Sequence, residues 1–275
     1  MLRRLTIACA IGIPALAFAA EPVPERDGLN AVVWMQTSAE YKATTIGVFA
    51  AARAALDLAL ADPDWTAASE QRGPVRNLPP AVILDIDDTI LDTTPYQAWL
   101  IATGASYGAE SFADWVEERG AAPVPGAVEY LAYLRAKGIV PVFVSNRAAR
   151  LEEATRDALA ALGAVLPEDF DTVMLKRERR EWTVLKGSRR AEAAKRYRIL
   201  QIVGDNLGDF LDEPGATVPQ RARAALAETS AWGGKWVMLP NPVYGDWENA
   251  AVESDVRLDD AGRRTEKLRA LSPWK

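Results

Sequence analysis

Ala81-Val82-Ile83-Leu84-Asp85-Ile86-Asp87-Asp88-Thr89 passes without a break from apolar residues into three acids and a hydroxyl. The apolar part, 81 to 86, follows Pro79-Pro80 and reads as a buried strand of a parallel sheet. Core packing does not ask for carboxylates at its end. Open α/β sheets, however, bind ligands at the carboxyl ends of their strands. Carboxylates gathered there repel one another unless a cation or protons relieve them, and a bound metal ion is the simplest relief. A solvated acidic turn is the plain alternative. A calcium loop fails on spacing, because counted from Asp85 the sixth residue is Ile90 rather than Gly and the twelfth is Tyr96 rather than Glu.

Outward from this strand, apolar runs at 139 to 144, 171 to 175, 199 to 203 and 235 to 239 alternate with helical segments, the pattern of a parallel sheet flanked by helices. The helices at 127 to 137 and 149 to 162 stop at Gly138 and Gly163. Between the first two strands, residues 95 to 122 exceed a simple crossover and carry Tyr96, Trp99, Tyr107, Phe112 and Trp115, which suits a cap over the site. Upstream, from Trp34 onward, Ser38, Tyr41, Thr45, Val48, Ala52, Ala55 and Ala59 recur at helical spacing up to Asp62-Pro63. Residues 66 to 80 connect this helix to the core. No repeats or low-complexity tracts interrupt the chain.

Arg3 and Arg4, the apolar run from Leu5 to Phe18 and Ala17-Phe18-Ala19 form a secretory signal with an A-x-A cleavage site. The run is shorter than the ~20 residues of a membrane span, so no stable span is expected. Cys9 is the only cysteine and lies inside the signal, without the Leu that usually precedes a lipid-attachment site. The organisation expected is therefore a signal at 1–19, an N-terminal helical segment at 20–80, and a core at 81–275 with its cap insert at about 95–122. The product is expected in the periplasm or medium, without a lipid anchor. About 255 mature residues, with 49% apolar composition in the whole chain, suit one sizeable α/β domain with a small cap.

A chain with no histidine and a mature part with no cysteine excludes Ser-His-Asp hydrolysis, histidine nucleophiles, free-thiol chemistry and zinc sites built on those residues. Carboxylates must do the work. Loss of Arg3 and Arg4 takes the net charge from −6 to −8, which disfavours nucleic-acid polymers as partners.

Other pieces of a site stand at the ends of later strands. Val144-Ser145-Asn146-Arg147 follows the second, offering a hydroxyl and backbone N–H groups to a phosphoryl oxygen. Gly204-Asp205-Asn206-Leu207-Gly208-Asp209 follows the fourth and brings carboxylates to the edge that holds Asp85 and Asp87. Oxygen donors of this kind suit a hard cation, Mg²⁺ above all. Of two candidate lysines, Lys186 opens a helix aimed at that edge, whereas Lys176 runs into the charged segment Arg177-Glu178-Arg179-Arg180.

The D-x-D-x-T pattern of Asp85, Asp87 and Thr89 resembles that of haloacid dehalogenase superfamily phosphotransferases. The chain as a whole is similar to the class C nonspecific acid phosphatases, including the lipoprotein-e type 5′-nucleotidases. Trp34 to Tyr41, Val124 to Glu129 and Leu239 to Trp247 carry the resemblance beyond the superfamily's common motifs.

The resemblance implies a haloacid-dehalogenase-like Rossmannoid sheet with a small helical cap, and an Mg²⁺-dependent acid phosphatase acting on phosphomonoesters, nucleotides among them. Asp85 would be the nucleophile and Asp87 the general acid and base. Ser145, Asn146 and Lys186 would hold phosphate. Asp85, Asp205, the Asp87 backbone carbonyl and a supporting Asp209 would hold the metal. Phe112 and Tyr244 would clamp a base, with Tyr96 and Trp115 as cap core. Transfer to alcohols instead of water stays open, as do a homodimer and a storage protein of the same fold. Storage members typically lose the nucleophile, and Asp85 is present.

Overall fold

The computed structural model describes residues 27–212, 217–252 and 258–274; the signal expected at 1–19, with Cys9, lies outside the described residues. Five strands, β1 (Pro80–Leu84), β2 (Val140–Ala148), β3 (Val173–Lys176), β4 (Arg198–Gly204) and β5 (Trp236–Met238), form one sheet in the order β3-β2-β1-β4-β5. Every pairing is parallel. The fold is therefore the α/β sheet expected. The chain builds outward from β1 to β2 and β3 and then returns to lay β4 on the other side. The strand order thus reverses at β1 and β4, the place where such sheets bind ligands.

Alternation along β1 sorts its side chains onto two faces. Val82 and Leu84 join one core with Phe143, Leu200 and Val203, while Ala81 and Ile83 join the other with Val142, Val144, Ile199 and Ile202. The β1–β4 register skips one residue between Ala81 and Val82, so that Ile199 and Gln201 are successive partners. This bulge turns both Leu200 and Gln201 to the first face. Gln201 is fully buried there, yet its amide donates to the Ala52 and Gly234 carbonyls and its oxygen accepts from the Tyr130 hydroxyl.

The first face is covered by α2 (Ala39–Ala61) and α5 (Ala127–Ala136), through Phe49, Ala52, Leu56 and Ala59 of α2 and Tyr130, Leu131 and Leu134 of α5. The single N-terminal helix expected from the apolar spacing is in fact two. α1 (Leu29–Thr37) ends before Ser38, whose extended backbone and side-chain oxygen, accepting from the Tyr41 N–H, start α2 afresh. By length and composition alone α2 could cross a membrane; here its inner face belongs to the core. α7 (Gly187–Arg196) packs on the second face through Ala193 and Ala194.

β2 runs on to Ala148, past the expected end at 144, because its pairing with β3 resumes at Ala148 after an irregularity that follows Ser145. Gly138 after α5 and Gly163 after α6 (Glu152–Ala161) take the left-handed conformation expected of helix-terminal glycines. Between β1 and α5, α3 (Thr94–Thr103) and α4 (Ala109–Glu117) carry an aromatic cluster centred on buried Tyr96, with Trp99, Phe112 and Trp115 ring centroids 5.8, 5.2 and 6.0 Å away. Beyond α8 (Val218–Ala227), α9 (Asp246–Ala251) and α10 (Asp260–Ala270) were not anticipated individually.

Candidate active site

Because β1, β2 and β4 are parallel and adjacent, whatever follows each of them meets at one edge. Asp85 and Asp87 follow β1, Asp205 follows β4, and Ser145 to Arg147 make the end of β2. All of them, with Asn146, Lys186, Asp209, Phe112 and Tyr244, line one cavity of about 360 Å³. The expected site residues are thus brought together without exception.

Lys186 stands immediately before α7, and its ammonium pairs with Asp85 and, at 2.6 Å, with Asp209. Lys176, at the end of β3, takes no part, and burial lowers its pKa. Burial also works against the charge of Lys186, but Asp209 and Asp85 outweigh it and raise its pKa.

Asp85, Asp205 and Asp209 offer carboxylate oxygens within 4.8 Å of one another. Burial, opposed by Lys186 and reinforced by Asp209 and Asp87, pushes Asp85 up to about 7. Burial, then the charges of Asp85, Asp209 and Asp88, raises Asp205 well above the usual range. Three carboxylates face one ammonium. Such a donor set, all oxygen and short of positive charge, fits a hard divalent cation. The Asp205 carboxylate is braced by the Asn241 amide at 2.8 Å, and Thr89 Oγ1 reaches it at 3.3 Å.

Asp209 gets close to the strand end because residue 204 is glycine: a Cβ there would stand 2.6 Å from Asp209 Cγ. Asp209 Oδ2 accepts from the Asn206 N–H in a capping box that fixes the turn.

The third acid of the opening stretch has a different place. Asp88 adopts a positive φ of 55°, tolerated by Asp better than by most residues, and both its oxygens accept from Thr93, the backbone N–H at 2.9 Å and the hydroxyl at 2.6 Å. Burial raises it to about 6 against those bonds. It shapes the loop that presents Asp85 and Asp87. The Tyr244 hydroxyl borders this buried group, and burial with the charges of Asp88 and Asp205 keeps it protonated.

Three residues at the site carried no assignment from sequence. Arg147 holds Asp87 with its guanidinium, Nη2 to Oδ1 at 2.7 Å. Arg189, fully buried, ties the end of β2 by donating to the Asn146 Oδ1 at 2.7 Å and to the Ser145 carbonyl. Tyr107 lines the cavity beside Phe112, their ring centroids 5.9 Å apart. The Asn146 side chain is held at both ends, by Arg189 and by the Val184 carbonyl, and keeps one amide N–H besides its backbone to offer a ligand. Ser145 Oγ is buried and accepts from the Arg147 N–H, leaving its own proton to give.

The family described as haloacid dehalogenase superfamily, subfamily IIIB (acid phosphatase), matches residues 16–247. Two structures of the class C acid phosphatase from Bacillus anthracis, one of them with tungstate bound, superpose with a TM-score of 0.77 each, at 30% and 29% identity, covering 90% of this chain and 98% of theirs. Vegetative storage protein 1 of Arabidopsis thaliana is 28% identical over 171 residues, which are 59% of this chain and 54% of that protein. The chain thus spans about half the length of this plant relative. With the family covering residues 16–247, the chain belongs to the subfamily IIIB acid phosphatases of the haloacid dehalogenase superfamily.

Proposed function

We propose that this chain is an exported phosphomonoesterase that works with Mg²⁺ and accepts nucleoside 5′-monophosphates among its substrates. The observation that carries the reading is Asp85, paired to Lys186 at a cavity wide enough for a small organic phosphate. Asp85 attacks phosphorus, and the bond from phosphorus to the ester oxygen breaks. The leaving oxygen takes a proton from Asp87. Water then attacks the aspartyl phosphate, gives a proton to Asp87, and frees Asp85 and inorganic phosphate. Lys186 and the Ser145 hydroxyl hold the phosphoryl oxygens. Asp85, Asp205 and Asp209, with the Asp87 backbone carbonyl, would hold the cation, whose charge offsets the repulsion between Asp85 and the phosphate by several kcal/mol. The donors are oxygens, which favours Mg²⁺ over softer ions.

Tungstate, bound by the Bacillus anthracis enzyme, is a tetrahedral oxyanion like phosphate, in keeping with a phosphate-sized subsite here. The Phe112 and Tyr244 rings on the same cavity support a nucleotide among the substrates, since either could stack on a base. Kinship with a storage protein favours a second, noncatalytic reading, against which the intact Asp85–Lys186 pair argues.

Phosphate release from nucleoside monophosphates and simple phosphomonoesters, with and without Mg²⁺, tests the proposal. Asp85→Asn should lower the rate by ~10³-fold or more. A variant within about tenfold of wild type would refute the nucleophile, and an inert wild type would favour storage. Export predicts a purified N-terminus at or near Ala20, read by mass spectrometry; an intact Met1 would sink it.

A further inference from the structure

We infer that Arg147 is the positioning residue that presents Asp87 to the leaving group, and that Oδ2 of Asp87 is the oxygen that carries the proton. The inference rests on the phosphatase reading and deepens it. Among the acids after β1, Asp87 is the one that opens toward the cavity yet stands outside the group of Asp85, Asp205 and Asp209. Its side chain is 17% exposed, whereas that of Arg147 is 2% exposed.

The guanidinium grips the carboxylate unevenly. Nη2 donates to Oδ1 at 2.7 Å, and Nε divides its hydrogen bond between Oδ1 and Oδ2, at 3.1 Å each. Oδ1 therefore receives one full hydrogen bond and half of another, and Oδ2 only the other half, so Oδ2 keeps lone-pair capacity for a proton. The arginine is itself anchored from behind. Its Nη1 donates to Oγ1 of Thr155, a fully buried residue of α6, at 3.1 Å, and its backbone N–H donates to Ser145 Oγ. A planar fork fixed at both ends sets the plane of the carboxylate it holds, which an ammonium at the same place cannot do.

When the bond from phosphorus to the ester oxygen breaks, its electron pair goes to the leaving oxygen, which takes the proton from Oδ2. An alkoxide needs that proton; a nitrophenolate leaves without it. Losing the position of Asp87 should therefore harm alkyl esters far more than nitrophenyl esters. If Arg147 instead held phosphate directly, all phosphomonoesters would suffer alike.

The test is kcat/KM, which covers the steps through phosphoryl transfer, for glycerol 2-phosphate and p-nitrophenyl phosphate with Mg²⁺. Arg147→Ala should lose ~100-fold on the glycerol ester and less than ~10-fold on the nitrophenyl ester, within the usual range of general acid catalysis. Arg147→Lys, which keeps the charge but not the fork, should show the same split, and it decides the matter if Arg147→Ala does not fold. Asp87→Asn should reproduce the pattern. An active wild type with equal losses on both esters, or no loss in Arg147→Lys, overturns this inference alone. A wild type inert toward both esters overturns the phosphatase reading and this inference with it.

Discussion

Removing divalent cations should leave a protein that is less stable near neutrality than in mild acid. Asp85 is buried among carboxylates and raised to about 7 from the ordinary 3.8. The folded chain therefore holds a proton there that the unfolded chain has already released. That contribution to stability is fully present below the unfolded value and is lost as pH rises through the folded one. The part crossed between about pH 5 and pH 7.5 is worth roughly 3 kcal/mol, or on the order of 8 °C in Tm for a chain of this size. Asp88 near 6, Glu178 near 7 and the raised Asp205 act in the same direction. The chain has no histidine to add its own titration to that window. The assay is a thermal melt in EDTA at the two pH values, for wild type and for Asp85→Asn, whose smaller pH response isolates the Asp85 share. Saturating Mg²⁺ should reverse the trend, since a bound cation keeps the carboxylates ionised. Identical pH responses of wild type and Asp85→Asn in EDTA would refute the reasoning.

Gly204→Ala should displace Asp209 from the cluster, because the added Cβ would lie 2.6 Å from Asp209 Cγ. The Mg²⁺ concentration giving half-maximal activity should rise by ~10-fold or more, and an unchanged Mg²⁺ response would show that Asp209 is not a ligand. Phe112→Ala should remove on the order of 1–3 kcal/mol of stacking on a base, lowering kcat/KM for a nucleoside monophosphate ~5- to 150-fold while a small alkyl phosphate barely changes. Equal losses on both would make the ring part of the cap core.

The acidic strand ends were legible because nothing in core packing explains Asp85 or Asp205 after buried apolar runs, and parallel pairing then carries them to one edge. Lys186 was legible for the same reason, as the residue that opens a helix aimed at that edge. The Arg147–Asp87 fork was not. It depends on which way a side chain turns after the irregular pairing beyond Ser145, and the letters Ser-Asn-Arg look like a turn. The break between α1 and α2 was hidden because Ser38 also fits the apolar periodicity that runs across it. The buried Gln201 sits on a bulge, where alternation no longer tells which face a side chain meets.

The bond from Gln201 to the Ala52 carbonyl spans 149 residues of chain, and it has a consequence for synthesis. α2 is made early with an apolar inner face, but the strand floor it rests on, Leu200 and Val203, arrives only with β4. At ribosomal speeds of about 5–20 residues per second, that is a wait of roughly 7–30 s. During it, the nascent chain carries a 23-residue helix that satisfies the length and composition of a membrane span. The half of the core beneath α2 cannot close before β4 is made, so the arrival of the fourth strand limits how early this chain can fold.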